Sequence, residues 1–186
     1  PTAPAWKEDL DSKNYQEILD GLPHDGTTPH AIYVHVPFCR SLCHFCACNR
    51  VITQKTDLPI RFLDTVASEI REVRRHLPNA SRSGQIHLGG GTPTYLNDEQ
   101  FGAAFAALGR HFNLGDGDAR DFSIEIDPRT VDPTRMSYLT GLGINRVSLG
   151  IQDFDPDVQR AVNRIQSVED TRAIIESARA NGVKSV

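Results

Sequence analysis

The residues with the clearest chemical potential are four cysteines within one short stretch, at Cys39, Cys43, Cys46 and Cys48. Thiolates are the usual ligands of iron–sulfur clusters, and such short spacings allow several of them to reach one cluster. Structural zinc, the alternative, more often takes two separated pairs of ligands, and the chain offers no second cysteine pair. The spacing therefore favours an iron–sulfur cluster, while a zinc site built from all four cysteines stays open.

Other candidate ligand-binding residues follow strand-like runs further along the chain. Three consecutive glycines, 89–91, precede Thr92, and glycines let a backbone approach a ligand closely, although a plain tight turn is the alternative. Glu125 and Gln152 stand at the ends of two strand-like runs, where they could bind ribose hydroxyls or an amine. A buried polar residue satisfied by its neighbour is the alternative for each. Arg164 could bind a ligand carboxylate with its planar fork, or lie solvated on the surface.

Alternating strand-like and helix-like runs would position these residues. This order implies a parallel sheet with right-handed crossovers, either a TIM-like barrel, whole or partial, or an open doubly wound sheet. The predicted strands are Ala31–Val36, Gln85–Leu88, Asp121–Ile126 and Asn145–Gln152, with a fifth starting near Val183. The predicted helices cover residues 13–22, 59–77, 98–112, 133–142 and 168–181, and capping residues mark three of their starts, at Asn97, Asp132 and Ser167.

Each predicted strand has one apolar face and one polar face. Parallel strands that are covered on both sides usually carry continuous apolar runs, so a polar face indicates a cavity with polar contents. The first strand, for example, sets Tyr33 and His35 against Ile32 and Val34. A half-exposed antiparallel sheet is the alternative, but the helical runs between the strands disfavour it. Because active sites of βα barrels gather at the carboxyl ends of the strands, we expect the cysteine loop to lie there.

Composition narrows the class of protein. The net charge of −4 and pI of about 6.0 argue against a nucleic-acid partner, and no apolar run is long enough to cross a bilayer. The sequence shows no secretory signal, and clustered cysteines suit a reducing compartment, so we expect a cytoplasmic protein. We expect residues 1–30 to form a polar arm and residues 31–186 the barrel segment. The chain starts without Met and stops in a strand-like run, so we expect a fragment that is inactive alone.

Several motifs, in order along the chain, carry a resemblance to a known family. They are Tyr33–Cys39 with the cysteine loop, Gly89–Leu96, Ser123–Pro128, Gly150–Phe154 and Val162–Arg164. The cysteine spacing is that of the radical S-adenosylmethionine (SAM) superfamily. The full set resembles its oxygen-independent coproporphyrinogen III oxidases, also called coproporphyrinogen dehydrogenases. The resemblance implies an α/β fold, the N-terminal part of a partial (βα)6 radical SAM TIM-like barrel with parallel strands. This chain would hold the first four βα units and the start of the fifth strand.

The resemblance also implies roles for individual residues. Cys39, Cys43 and Cys46 would ligate three irons of a [4Fe–4S] cluster, and SAM would bind the fourth iron. A first SAM would contact Tyr33, Gly90 and Glu125, and a second SAM would contact Phe45, Gly91, Thr92, Gln152 and Arg164. Catalytic roles are implied for Tyr33, His35, Cys48 and Glu125. Cys48 would matter for activity without ligating the cluster.

The activity implied is the oxidative decarboxylation of two propionate side chains of coproporphyrinogen III to vinyl groups, which yields protoporphyrinogen IX in the anaerobic route of haem biosynthesis. The enzyme would take electrons from a low-potential donor and act as a monomer on its tetrapyrrole substrate. A haem chaperone and a radical SAM methyltransferase are the alternatives. The chaperones typically follow the third cysteine with Asp-Phe, whereas this chain has Ala47-Cys48, which favours the dehydrogenase. Ala47 itself departs from the glycine that the family often has.

Overall fold

The computed structural model of the protein describes residues 10–23, 25, 27–77, 83–115, 117 and 120–186. Its strands are β1 (Ala31–Val36), β2 (Phe38–Cys39), β3 (Val51–Ile52), β4 (Gln85–Gly90), β5 (Asp121–Ile126) and β6 (Arg146–Leu149). Its α-helices are α1 (Ser12–Asp20), α2 (Leu58–His76), α3 (Asp98–His111), α4 (Pro133–Gly141), α5 (Pro156–Ala161) and α6 (Val168–Ala180). Two short 3-10 turns, Pro93–Tyr95 and Pro128–Thr130, follow β4 and β5.

Four strands form one parallel sheet in the order β1-β4-β5-β6, which is also their order along the chain. Helices α2, α3 and α4 lie in the crossovers between consecutive strands. Because the strand order never reverses, as it does in a doubly wound sheet, the sheet follows the course of a βα barrel. Ser185 forms a single parallel bridge with Arg146, close to the fifth strand predicted near Val183. The prediction of an α/β fold with parallel strands is confirmed.

The apolar faces of the strands pack against the helices and form the core. Burial alternates along β5, so that Phe122, Ile124 and Ile126 are almost fully buried and the residues between them are only partly so. Helices α3 and α4 add fully buried side chains to the same cluster, Phe101, Met136 and Leu139 among them. Burial of one large apolar side chain contributes about 1.5–3 kcal/mol, so this face fixes the sheet against its helices.

Three helices start at the predicted capping residues. Asn97 accepts a hydrogen bond from the backbone N–H of Gln100, and the Gln100 side chain accepts one from Asn97 N, which completes a capping box. Asp132 and Ser167 cap α4 and α6 through N–H groups three residues further on. Each cap is worth about 1 kcal/mol, so local sequence sets these helix starts. After α6, Gly182 takes a positive φ of 80°, which suits the end of a helix.

The bounds of the predicted helices lie within two residues of the observed bounds, whereas the ends of two predicted strands differ from the observed ends by two or three residues. Strand β4 runs on through Gly90, past the predicted end at Leu88, because the glycines extend the pairing with β1. Strand β6 stops at Leu149 rather than at Gln152, and Gln152 has a φ of 68° that a strand cannot contain. Helix α5 and the two-residue strands β2 and β3 have no counterpart in the prediction, because elements this short carry no periodicity.

The arm predicted over residues 1–30 is described in part. Residues 1–9, 24 and 26 lie outside the described residues, and helix α1 packs against α2. Leu19 of α1 is buried, and Asp20 Oδ1 lies 2.7 Å from His76 Nδ1 at the end of α2. The boundary at residue 30 stays a prediction. Among the helices that the structure describes, none is long and apolar enough to cross a membrane.

Candidate cluster and cofactor site

A cavity of about 400 Å3 opens at the carboxyl ends of the main strands. The cysteine loop, residues 39–50, bounds it on one side, and the turns after β4, β5 and β6 bound the others. The predicted site residues that line it are Cys39, Cys43, Phe45, Cys46, Cys48, Gly90, Gly91, Thr92, Glu125, Gln152 and Arg164. Tyr33 and His35 are outside this lining, on the inward face of β1. The fold therefore gathers side chains from four separate segments around one space.

A short parallel pair holds both ends of the cysteine loop. Val51 N donates to Pro37 O at 2.7 Å, and Thr53 N donates to Cys39 O at 3.0 Å, so β3 returns beside β2. Phe38, the residue before the first cysteine, is buried against two aromatic rings. The first cysteine thus lies on a segment whose direction is fixed by backbone pairing and by core packing.

The middle of the cysteine loop is joined to the end of α5. The ring Nδ1 of His44 lies 3.0 Å from Ala161 O, and the Asn163 amide donates to Leu42 O at 2.7 Å. Asn163 has a φ of 55°, a left-handed conformation that asparagine adopts more readily than most residues. Arg164 follows directly, so the Val-Asn-Arg motif both supports the loop and delivers an arginine to the cavity.

The cysteines are free and differ in exposure: Cys39 and Cys43 are buried, Cys46 is partly buried and Cys48 is exposed. Burial raises the pKa of the Cys39 thiol, although its hydrogen bond of 3.3 Å with the Thr92 hydroxyl opposes that shift. Within the described residues, no group of three or more His, Cys, Asp and Glu side chains is arranged around a single metal ion. An iron–sulfur cluster takes one thiolate per iron, so its ligands need not converge on one ion.

Two arginines and an aspartate lie beside Cys43. Arg129 Nη2 is 2.7 Å from Asp127 Oδ2, and Arg164 Nη2 is 3.2 Å from Asp127 Oδ1. Arg129 Nη2 and Arg164 Nη1 also lie 3.9 Å and 3.7 Å from Cys43 Sγ. The hydrogen bond with Asp127 is the main cause that raises the pKa of Arg129. Because two guanidinium groups share one carboxylate, this wall of the cavity carries net positive charge.

Tyr33 and His35 form a hydrogen-bonded pair on the inward face of β1. The Tyr33 hydroxyl is 2.9 Å from His35 Nδ1, and His35 Nε2 is 2.8 Å from Asn49 O. Because a carbonyl only accepts, Nε2 carries a proton, and in the neutral ring the Tyr33 hydroxyl donates to Nδ1. Partial burial, followed by the negative charges of Glu125 and Cys48, raises the pKa of Tyr33. The pair links β1 to the end of the cysteine loop.

Neighbouring strands orient the Glu125 carboxylate. Glu125 Oε2 accepts a hydrogen bond of 3.1 Å from Gly90 N, and Oε1 lies 3.4 Å from His87 Nε2. His87 Nδ1 is 2.7 Å from Ser123 Oγ, and its ring stacks on Tyr33 with centroids 5.7 Å apart. The parallel register sets Tyr33, His87 and Ser123 side by side. Three strands therefore cooperate to hold one carboxylate at the cavity edge.

Glycines shape the cavity wall in two places. Gly90 has a φ of 110°, and a Cβ there would lie 2.8 Å from the His35 ring. Both the backbone conformation and the packing against His35 therefore favour glycine at this position. A Cβ on Gly150 would lie 3.0 Å from both the Gln152 amide nitrogen and Arg164 Nη2. These two side chains therefore converge, although Gln152 stands in a loop and not, as predicted, at the end of a strand.

Comparison with known proteins gives the chain its relatives. The sequence profile of the Radical SAM superfamily matches residues 33–186. The chain belongs to the radical SAM superfamily. It is 48% identical over 158 residues to the oxygen-independent coproporphyrinogen III oxidase of Pseudomonas aeruginosa. The aligned region covers 85% of this chain and 34% of that protein. The protein of the same name from Escherichia coli K12 is 38% identical over 185 residues, covering 100% of this chain and 39% of that protein.

A solved radical SAM structure shares the fold. Coproporphyrinogen III oxidase (HemN) from Escherichia coli matches with a TM-score of 0.88 at 34% identity, covering 100% of this chain and 42% of that one. The prediction of a partial TIM-like barrel of the radical SAM type is thereby confirmed. The chain spans between 34% and 42% of the length of these relatives.

The radical SAM family implies a [4Fe–4S] cluster and SAM, and the residues of the cavity fit both. The cysteine loop offers soft thiolate donors, which suit iron–sulfur clusters. Arg164 Nε is buried and has no hydrogen-bond partner among the described residues, so one donor of this guanidinium is left unsatisfied. The Arg164 guanidinium and the Gln152 amide lie close together, and such donors suit a carboxylate, the group that terminates SAM, although Arg164 Nη2 also donates to Gly150 O at 2.7 Å.

Sequence analysis did not select Asp127 or Arg129 as site residues, yet both line the cavity. A signal was present for Asp127, because it continues the alternation that turns Ser123 and Glu125 inward, one residue past the end of β5. Arg129 lies in the 3-10 turn that follows, where no period applies. The structure also adds Arg50 to the lining, with its Nη1 2.9 Å from Cys48 O.

Proposed function

We propose that Cys39, Cys43 and Cys46 ligate a [4Fe–4S] cluster in the cavity and that SAM binds the iron that has no thiolate. The observation that supports this most is that all three cysteines line one cavity, with two guanidinium groups within 3.9 Å of Cys43 Sγ. Thiolates of this kind are the usual ligands of iron–sulfur clusters. Cys48, which is exposed, takes a catalytic role and ligates no iron in this proposal.

We propose that the Glu125 carboxylate binds the SAM amino group. Its carboxylate is already held by Gly90 N and faced by His87, so little ordering remains to be done on binding. Tyr33 and Gly90 complete the contacts of the first SAM. Contacts to a second SAM are assigned to Phe45, Gly91, Thr92, Gln152 and Arg164, all of which line the same cavity.

The activity we propose for the whole enzyme is the oxidative decarboxylation of two propionates of coproporphyrinogen III to vinyl groups. Relatives of this chain are named oxygen-independent coproporphyrinogen III oxidases, which supports this proposal. When bound, the cluster and SAM would supply the one-electron chemistry that removes a hydrogen from each propionate, and loss of CO2 and of one electron to an external acceptor would leave the vinyl group. The residues of this chain hold SAM in place and exclude water. The Tyr33–His35 pair holds a proton at His35 Nε2, against Asn49 O.

The same proposal includes the setting of the enzyme. An exposed cluster with an open iron needs electrons from a low-potential one-electron donor and protection from oxidation. A reducing compartment such as the cytoplasm meets both needs. We propose a monomer that acts on a single tetrapyrrole substrate.

The test uses the complete gene product, reconstituted with iron and sulfide without oxygen. SAM, dithionite and coproporphyrinogen III are added, and protoporphyrin fluorescence is followed after oxidation of the product. Wild type should give protoporphyrin, and Cys43→Ser should lose both product and cluster iron. Cys48→Ser is the matched control, because it should keep the iron and lose only turnover.

Two results would redirect the proposal. Turnover by Cys43→Ser at the wild-type rate would remove Cys43 from the ligand set. An intact cluster that cleaves SAM but yields no protoporphyrin would keep the cofactors and move the function to a haem chaperone or a methyltransferase. Tight haem binding would separate the first of these from the second.

A further inference from the structure

The Arg129 side chain makes two kinds of contact at the wall of the cavity. Its Nε and Nη2 donate to Asp127, at 3.0 Å and 2.7 Å, and its Nη2 also points at Cys43 Sγ from 3.9 Å. The Arg129 side chain is 29% exposed and that of Asp127 only 8%, so the carboxylate is the more deeply buried partner of the pair. The contact with sulfur is therefore held in place by a buried anion.

The charges beside Cys43 do not cancel. Arg129 and Arg164 bring two positive charges, and Asp127 contributes one negative charge, which leaves about one net positive charge next to the sulfur. Without Arg129, the remaining Arg164–Asp127 pair would be neutral. Arg164 already has a proposed ligand in SAM, whereas Arg129 has none. Its surplus charge and its N–H group are both directed at a cysteine sulfur.

We propose that Arg129 is a positioning residue that raises the reduction potential of the cluster through a hydrogen bond to Cys43 Sγ, with Asp127 holding its guanidinium in place. This inference rests on the proposed role of Cys43 as a cluster ligand. It also assigns the Asp127 carboxylate a second task, beside capping the turn after β5.

The physical reason lies in the charge of the reduced state. One electron passes from a low-potential donor to the oxidised cluster, no bond is made or broken in the protein, and the cluster with its thiolates gains one negative charge. Hydrogen bonds to the sulfurs and nearby positive charge stabilise that more negative state more than the oxidised state. Arg129 therefore makes the cluster easier to reduce.

A purely structural role predicts something different. The turn after β5 is capped by the backbone N–H of Arg129, which donates to Asp127 Oδ1 at 3.0 Å, and this bond does not need the side chain. Arg129→Met keeps the backbone cap and much of the side-chain volume. It removes only the charge and the N–H donors, so it should leave the fold and the iron content in place.

The experiment measures the midpoint potential of the reconstituted complete gene product by anaerobic titration, with the EPR signal of the reduced cluster as readout and without SAM. Arg129→Met should shift the midpoint to a more negative value at unchanged iron content. Arg146→Met is the matched control, because Arg146 pairs with Asp121 at 3.4 Å at the opposite end of the sheet. It should keep the wild-type midpoint.

The outcomes separate the role of Arg129 from the proposed cluster site. A midpoint unchanged in Arg129→Met, with full iron content, overturns the role of Arg129 and leaves the proposed function intact. A wild-type protein that holds no iron, or Cys43→Ser with wild-type iron content, overturns the proposed function itself. If Arg129→Met loses its cluster, Arg129→Gln takes its place, since glutamine removes the positive charge and keeps a polar side chain. The glutamine variant should also be shifted negatively, and a wild-type midpoint there overturns the inference.

Discussion

Gly91→Ala tests whether a glycine of the Gly-Gly-Gly motif is needed by the protein itself. A Cβ at Gly91 would lie 2.7 Å from Pro37 O, 2.8 Å from Pro37 C and 2.9 Å from Phe38 O, closer than real Cβ atoms come to their neighbours. All three are backbone atoms, so no change of rotamer can relieve the contact. The backbone in question leads directly into Cys39, and Gly91 N is hydrogen-bonded to Val36 O at 2.8 Å.

The size of the effect follows from these contacts. Forcing a methyl group into a closed space costs about 1–3 kcal/mol, and weakening the Gly91–Val36 hydrogen bond adds about 1 kcal/mol. Replacing glycine by alanine returns about 0.4–1 kcal/mol, because the unfolded chain loses conformational freedom. The net loss should therefore be about 1–3.5 kcal/mol. The backbone before Cys39 must also move, so the iron content after reconstitution should fall.

Urea unfolding and iron analysis of the same preparations measure both effects. Gly109→Ala is the matched control, because Gly109 lies inside α3 and its Cβ would meet only Leu114 Cδ1 at 3.8 Å, an ordinary contact. Alanine there should raise the free energy of unfolding by about 0.5–1 kcal/mol and leave the iron content unchanged. If Gly91→Ala is as stable as wild type and binds iron fully, the packing argument for this glycine is wrong.

Three further predictions concern other contacts. Arg135→Met should lower the free energy of unfolding in urea by roughly 2–4 kcal/mol, because the guanidinium donates to three backbone carbonyls after β4 and β5. The exposed Arg160→Met should change it by under about 0.5 kcal/mol, and equal losses would contradict the reasoning. His87→Phe keeps the ring stack but removes a partner of Glu125, so calorimetry should show SAM binding weakened about tenfold, and unchanged affinity would be evidence against this orienting role. Tyr33 has a pKa raised above its ordinary 10.0, so on raising the pH the unfolded state loses the Tyr33 proton before the folded state does. The free energy of unfolding should therefore fall as pH rises past about 10, and Tyr33→Phe should lack this contribution to the fall.

The order of elements could be predicted from the sequence because the signals were local and repeated. Alternation along Asp121–Ile126 predicts both the strand and the face that is buried, and the burial of Phe122 and Ile124 follows it. Capping residues such as Asn97 predict helix starts to the residue. Each of these signals needs only a few neighbours in the chain, so tertiary contacts did not have to be known.

Strand ends beside the cavity could not be predicted in the same way. Continuation of the period past Leu149 predicts a strand as far as Gln152, but the chain turns there into a left-handed conformation. Helix α5 is too short to show a period, and it owes its position to contacts between Ala161, Asn163 and the cysteine loop. Irregular backbone of this kind is set by long-range contacts, and such contacts are common where a ligand is held.

Charge compensation around Cys43 is a separate matter from ligand contact. A motif indicates which residues touch a cofactor, and alternation indicates which side chains face the cavity, but neither indicates which charge neutralises which. Arg164 contacts Cys43 although the two are 121 positions apart in the sequence. That Arg164 and Arg129 both pair with Asp127 is visible only from the distances between their guanidinium nitrogens and the Asp127 carboxylate oxygens. Had Asp127 paired with Arg164 alone, the wall would be neutral. The second guanidinium keeps it positive, so Arg129, which sequence analysis did not select, is needed for the positive charge beside the proposed cluster ligand.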